Sequence, residues 1–250
     1  MAVDGHTGGG DGQVAHQPSR PGSGVDRPRR VNGRGVVLCV VGLLLPVALF
    51  LLLAKGVAEG VVRDLDEGVL RSVEAVHGEV PTALMRAVTF VGAGWGMAVL
   101  LSAVVLVLVL VCRPRRLGDA AFMVAVMAGA GLLQLLTKLL FERPRPEVFE
   151  PLVEVMTYSY PSGHALSSAA FALSLAVVCR RTRWWTWTVA GGAVFTLLVS
   201  FSRVYLGVHY PSDIVAGWLL AVAWTTAVWL VFEAFGRRPG GKGAEVMRGV

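Results

Sequence analysis

Two histidines, a carboxylate, a serine and several fixed cations lie in the second half of the chain, a set of residue types able to move a phosphoryl group without a metal. The densest stretch is Ser202-Arg203-Val204-Tyr205-Leu206-Gly207-Val208-His209-Tyr210-Pro211-Ser212-Asp213, and upstream of it stand Lys138, Arg143, Arg145 and Pro161-Ser162-Gly163-His164. Asp213 follows His209 by four residues, so the two side chains can share one helical side. The carboxylate can then accept one ring N–H and set the tautomer and basicity of the imidazole. On that spacing His209 is the nucleophile and His164 the general acid, which as a neutral base later activates the water that hydrolyses the phosphohistidine. Lys138, Arg145, Arg203, Ser162 and the backbone N–H of Gly163 would surround a tetrahedral phosphate and neutralise its equatorial oxygens.

Each piece taken singly has an ordinary explanation. Lys138 and Arg203 could be snorkelling residues at helix ends, and Arg143-Pro-Arg-Pro a stiff exit from a helix. Pro161-Ser-Gly could be a turn and cap, and Asp213 a first-turn carboxylate favoured by the helix dipole. What argues for one site is where the crossings place them together.

The crossings follow from composition. With 54% hydrophobic and 16% charged residues, and a mean hydropathy of +0.62, the chain is too apolar for one soluble domain of 250 residues and reads as an integral membrane protein. The net charge of +6 sits largely in short basic clusters flanking apolar runs, which is a topology signal rather than a nucleic-acid surface.

Residues 1–35, rich in Gly, Pro, Asp and Arg, are expected to form a disordered tail in which His6 and His16 have no metal partner. The first crossing is expected over 36–54, uncleaved and kinked at Pro46. Residues 55–81 carry Val62, Leu65, Val69, Val73 and Val76 at helical spacing with charges on the other face, which predicts an amphipathic helix on the membrane surface ending at a solvated His77. A second crossing is expected over 86–112, with Gly92, Gly94 and Gly96 permitting close helix approach, then further crossings over 119–141, 164–178, 185–201 and 213–235.

The expected architecture is thus an all-α bundle of six transmembrane helices over 36–236, with the amphipathic helix between the first two, followed by a short cytoplasmic tail over 237–250. Even parity puts both termini on one side. The N-terminal arginines, Arg113 to Arg116, Arg180 to Arg183, and Arg237, Arg238 and Lys242 share that side, which the positive-inside rule makes the cytoplasm. Cys39, Cys112 and Cys179 then lie near cytoplasmic helix ends and are expected as free thiols. Lys138, Arg143, Arg145, Ser162, Gly163, His164, Arg203, His209 and Asp213 all fall on the outer face, although every crossing switches sides. Two helix N-termini open there as well, adding unpaired N–H groups and positive dipole ends to an anion site.

Lys138 with six residues before Arg145-Pro146, then Pro161-Ser162-Gly163-His164, then Ser202-Arg203 with five residues before His209 and three more before Asp213, resembles the three-part signature of the type 2 phosphatidic acid phosphatase superfamily. The likeness covers roughly residues 60–235 and every signature position. It implies a metal-independent phosphatase with a six-helix membrane bundle, a histidine nucleophile, a histidine acid, an outward-facing site and no cofactor. Members act on phosphatidic acid, phosphatidylglycerol phosphate or polyprenyl diphosphates. The soluble vanadium-dependent haloperoxidases of the same superfamily fit poorly with six long apolar runs. Arg143 lies outside the strict signature and is assigned a supporting phosphate or diphosphate contact.

A site at the membrane surface favours a substrate whose tail stays in lipid, since moving it into water costs about 0.8 kcal/mol per CH₂. The expected substrate is a polyprenyl diphosphate such as undecaprenyl diphosphate, with phosphatidic acid or phosphatidylglycerol phosphate as the alternative. A non-catalytic lipid-phosphate binder or transporter is the reading from another class, but it would need the cations without both histidines. No nucleic-acid partner is expected. Gly191-Gly192 would suit packing within the bundle or between subunits, which leaves an oligomer open. A fluorescent protein that matures only in the cytoplasm, fused after Val250, is expected to fluoresce. A membrane-inserted but dark fusion would contradict the orientation.

Overall fold

The computed structural model describes residues 33–110 and 116–236, without the side chain of Arg34. The tail with His6 and His16, the cluster around Arg113 with Cys112, and the C-terminal segment with Arg237, Arg238 and Lys242 lie outside the described residues. Every regular element among those described is helical.

Helix α1, Gly35–Ala58, is widened into a π turn over Val40–Leu44. Pro46 follows that turn, and its ring would otherwise crowd the carbonyl four residues back, at Gly42. The glycine also matters across the helix interface, because a Cβ on it would lie 2.7 Å from Thr226 Oγ1. Helices α2 (Arg63–Glu74), α3 (Glu79–Gly92), α4 (Gly94–Leu110), α5 (Leu117–Phe141), α6 (Gly163–Cys179), α7 (Trp185–Tyr205) and α8 (Pro211–Ala234) follow.

Four helices, α1, α5, α7 and α8, are long and apolar enough to cross a membrane, and α3 with α4 makes a fifth candidate bent by 54°. The chain is a multi-pass membrane protein. The bend departs from the single helix expected over 86–112. Gly94 takes a left-handed φ of +60°, and a Cβ on Gly96 would lie 2.1 Å from the carbonyl oxygen of Phe90, so the backbone folds upon itself where side chains are missing.

Helix α6 has 17 residues, about 26 Å at ~1.5 Å per residue, short of a ~30 Å hydrocarbon core. It is instead the inner helix of the bundle, packed against α5, α7 and α8 with Ala165, Ser168, Ala169 and Ala170 buried. A Cβ on Gly217 of α8 would lie 2.8 Å from the Ser162 carbonyl oxygen, and one on Gly192 of α7 would lie 2.9 Å from the Ala172 Cβ. Gly192 therefore serves packing inside the bundle.

Helix α2 is shorter than the amphipathic segment expected, and its buried face differs. Asp66, Leu70 and Val73 turn inward, while Leu65 and Val76, expected on the apolar stripe, are 70% and 59% exposed. His77 is not a solvated surface residue. Its Nε2 lies 2.9 Å from the Tyr205 carbonyl oxygen, and its ring contacts those of Phe149 and Tyr205. Cys39 and Cys179 are free thiols, as expected.

Candidate active site

Four helix ends and two loops build the site. Lys138 stands on the last turn of α5, Arg143 and Arg145 lie on the loop that follows, Ser162 caps α6, and Gly163 and His164 open it. Arg203 is in the last turn of α7, His209 lies in the connection to α8, and Asp213 is the third residue of α8. These groups converge: Arg203, His209, Lys138 and Arg145 are all close enough to act electrostatically on the His164 ring.

Asp213 is the hub. Its carboxylate accepts hydrogen bonds from Arg143 Nη1 at 2.6 Å, from the Tyr210 backbone N–H at 2.9 Å and from the Ser159 hydroxyl. The Tyr210 bond is also a cap, since it satisfies a backbone donor at the start of α8. His209 Nδ1 lies 3.3 Å from Asp213 Oδ2 and 3.4 Å from Ser159 Oγ. An ionised carboxylate only accepts, so Nδ1 carries the proton and Nε2 keeps its lone pair. Among the described residues nothing hydrogen-bonds to Nε2. His209 is only 2% exposed, and that burial pulls its pKa down from about 6.5 to about 4, against the opposing pull of Asp213. The ring is neutral at physiological pH.

The cations differ in how they are held. Arg203 is 4% exposed, its Nη1 donates to Thr89 Oγ1 at 2.7 Å, and its buried Nε has no partner among the described residues. A buried orphan donor on a guanidinium is costly unless an anion completes it. Lys138 Nζ donates to Thr157 Oγ1 at 3.0 Å and to the Tyr158 carbonyl at 2.6 Å. Arg145 donates to the Thr157 carbonyl at 2.7 Å and to the Val208 carbonyl, and burial lowers its pKa. Lys138 and Arg145 thus share the segment at Thr157 and Tyr158. A Cβ on Gly163 would lie 2.3 Å from the Gln134 amide, so a larger residue there would displace that side chain.

Arg143 departs from the supporting phosphate contact expected of it. Its Nη1 donates to Asp213 Oδ1 and, at 2.8 Å, to Ser212 Oγ, while Nη2 donates to Asp66 at 2.9 Å. The guanidinium lies over the Tyr210 ring, 4.0 Å from its centroid. Two carboxylates already hold this charge. Sequence reasoning placed Asp66 on the polar face of a surface helix and passed over Ser159. The only hint of Asp66 was its spacing of four from Leu70 and seven from Val73.

His164 also lines a cavity of about 610 Å³ between α4, α5 and α6. Apart from His164, Gln134 and Ser167 at one end, its walls are small or apolar, among them Met97, Leu101 and Met127.

Residues 119–237, which include every one of these candidate residues, match the PAP2 superfamily. That stretch is a PAP2 superfamily domain. It is 29% identical over 187 residues to phosphatidylglycerophosphatase B of Bacillus subtilis, covering 71% of this chain and 89% of that one. Over 79 residues it is 43% identical to an undecaprenyl-diphosphatase of Sulfolobus acidocaldarius, covering 32% of this chain and 35% of that one. The chain thus spans about a third of that relative. The crystal structure of a transmembrane PAP2 type phosphatidylglycerolphosphate phosphatase from Bacillus subtilis superposes with a TM-score of 0.66 at 25% identity, covering 77% of this chain and 94% of that one. With these relatives and a multi-pass helical fold, the chain is a membrane lipid phosphatase of the PAP2 class.

The buried, neutral His209 has a consequence for stability. An unfolded histidine takes up a proton below pH ~6.5, whereas His209 refuses it until about pH 4, so stability present above ~6.5 is lost as pH falls through about 4. The loss is on the order of 3 kcal/mol. Thermal unfolding in detergent is expected to show a steeper fall in Tm from pH 7 to 4 for the wild type than for His209→Gln. Parallel curves would contradict the burial argument.

Proposed function

We propose that this protein removes a terminal phosphate from a membrane lipid through a phosphohistidine on His209. The observation that carries this reading is the pairing of a neutral His209, with Nδ1 on Asp213 and Nε2 open, with the buried, unpartnered Nε of Arg203. Arg203, Lys138, Arg145, Ser162 and the Gly163 N–H would seat the phosphate, with Lys138 and Arg145 exchanging the oxygens of Thr157 and Tyr158 for those of the substrate. Nε2 then attacks phosphorus, the ester P–O bond breaks, and protonated His164 delivers its proton to the leaving alkoxide. Neutral His164 next takes a proton from water, the hydroxide attacks phosphorus, the P–N bond breaks, and free phosphate leaves with His209 restored. Three fixed cations stabilise the developing charge in a role a divalent ion would otherwise fill.

The cavity ending at His164 supports a lipid substrate, because an acyl or prenyl chain could lie along its apolar wall. A phosphatidylglycerol phosphate is favoured over a diphosphate, since Arg143 is engaged by Asp66 and Asp213 and adds no free charge for a second phosphate. A curated relative matched over 187 residues is named for that reaction. Polyprenyl diphosphate is the second reading, favoured by the shorter but more identical match to an undecaprenyl-diphosphatase. In the arrangement proposed here, α6 completes six crossings, both termini are cytoplasmic and the site faces outward, over a phosphatase unit of residues 36–236.

Purified protein in detergent with EDTA is expected to release phosphate from phosphatidylglycerol phosphate faster than from undecaprenyl diphosphate or a soluble sugar phosphate. His209→Ala should abolish turnover, His164→Ala should lower kcat by about 10²- to 10⁴-fold, and Arg203→Gln should raise KM. Retained turnover in His209→Ala would overturn the mechanism. Preference for the diphosphate would select the second substrate reading.

A further inference from the structure

We propose that Asp66, on the surface helix α2, is a positioning residue for His209, acting through Arg143 and Ser212 on the carboxylate of Asp213. The inference rests on His209 being the nucleophile. Asp66 is 1% exposed and accepts three hydrogen bonds: from the Ser212 backbone N–H at 2.9 Å, from the Ser212 hydroxyl and from Arg143 Nη2 at 2.9 Å. All three donors contact Asp213 or adjoin it. Arg143 Nη1 holds Asp213 Oδ1 at 2.6 Å, and Ser212 is its chain neighbour.

A carboxylate on its own rotates through a broad, roughly two-fold torsion. Fixing Oδ1 on Arg143 leaves Oδ2 turned to the Nδ1 of His209, 3.3 Å away. The guanidinium is planar and rigid, so it transmits the position of one carboxylate to the other. Asp66 supplies the fixed end. Without it Arg143 is held by Asp213, Ser212 and Tyr210 alone, and Asp213 Oδ1 loses its fixed anchor, leaving only the Ser159 hydroxyl and Tyr210 N–H bonds on Oδ2 to orient the carboxylate.

Docking of α2 does not by itself require this arrangement. Leu70 and Val73 already bury its inner face, and an aspartate one turn before Leu70 on that face adds a desolvation penalty that a purely apolar contact would avoid. The charge is retained at the start of α8, next to the residue that orients the nucleophile.

The test compares Asp66→Asn, Asp213→Asn and the double variant in the full-length protein, reading kcat and KM for phosphatidylglycerol phosphate and Tm in the same detergent. Asp66→Asn is expected to lower kcat roughly 10- to 100-fold, with KM within about twofold of wild type. Added to Asp213→Asn it should lower kcat no further, because both act through one carboxylate. Arg143→Lys, which keeps the charge but loses the fork, should reproduce the loss if Asp66→Asn proves too unstable to assay. Wild-type kcat in Asp66→Asn, or losses that multiply in the double variant, would overturn the proposal. Wild-type kcat in Asp213→Asn would instead overturn the assignment of the His209 dyad on which it rests.

Discussion

The carboxylate of Asp213 is the constraint on which the rest of the active end depends. A negative charge buried at the start of a membrane helix is stable only if its oxygens are engaged, and here they are engaged by groups from different parts of the chain: Arg143 and Ser159 from the loop after α5, and Tyr210 and His209 from the turn before α8. Removing one partner of such a set leaves an uncompensated buried charge, at a cost of about 3–5 kcal/mol. The carboxylate therefore ties the α5–α6 loop to the α7–α8 turn, and the same bonds that stabilise it fix the tautomer of His209.

Around that hub the bundle supplies what a transferred phosphate needs through the geometry of helix ends. Helices α6 and α8 start at the site, and α5 and α7 end there with Lys138 and Arg203 in their last turns. Start-to-end alternation brings positive dipole ends and cationic side chains to one place. Arg203 is anchored by Thr89 of α3 and keeps one donor open, while Lys138 and Arg145 rest on Thr157 and Tyr158. In the proposed mechanism phosphate binding would require little rebuilding, because donors now on loop oxygens can pass to phosphate oxygens.

Much of this was legible in the sequence because it depends on local spacing. The spacing of four from His209 to Asp213 puts them in contact, and the apolar runs marked the helices, of which α6 falls short of a full span. What escaped depends on contacts between distant segments. Asp66 read as a polar-face residue because its partners, Arg143 and Ser212, lie 77 and 146 residues away. Arg143 read as a phosphate ligand for the same reason, and His77 read as solvated because Tyr205 and Phe149 cover it from other elements. The break at Gly94 was read as close packing, since a glycine cluster serves either purpose until the backbone path is known.

The central claim is that His209 carries the phosphoryl group. Rapid acid-free quenching of the wild type during turnover of ³²P-labelled lipid phosphate, followed by peptide mapping, tests it directly. A phosphohistidine at this position gives an acid-labile, base-stable label on the peptide containing His209, absent from His209→Ala. Label on another residue, or turnover with no protein-bound phosphate on a timescale that resolves single catalytic cycles, would contradict it.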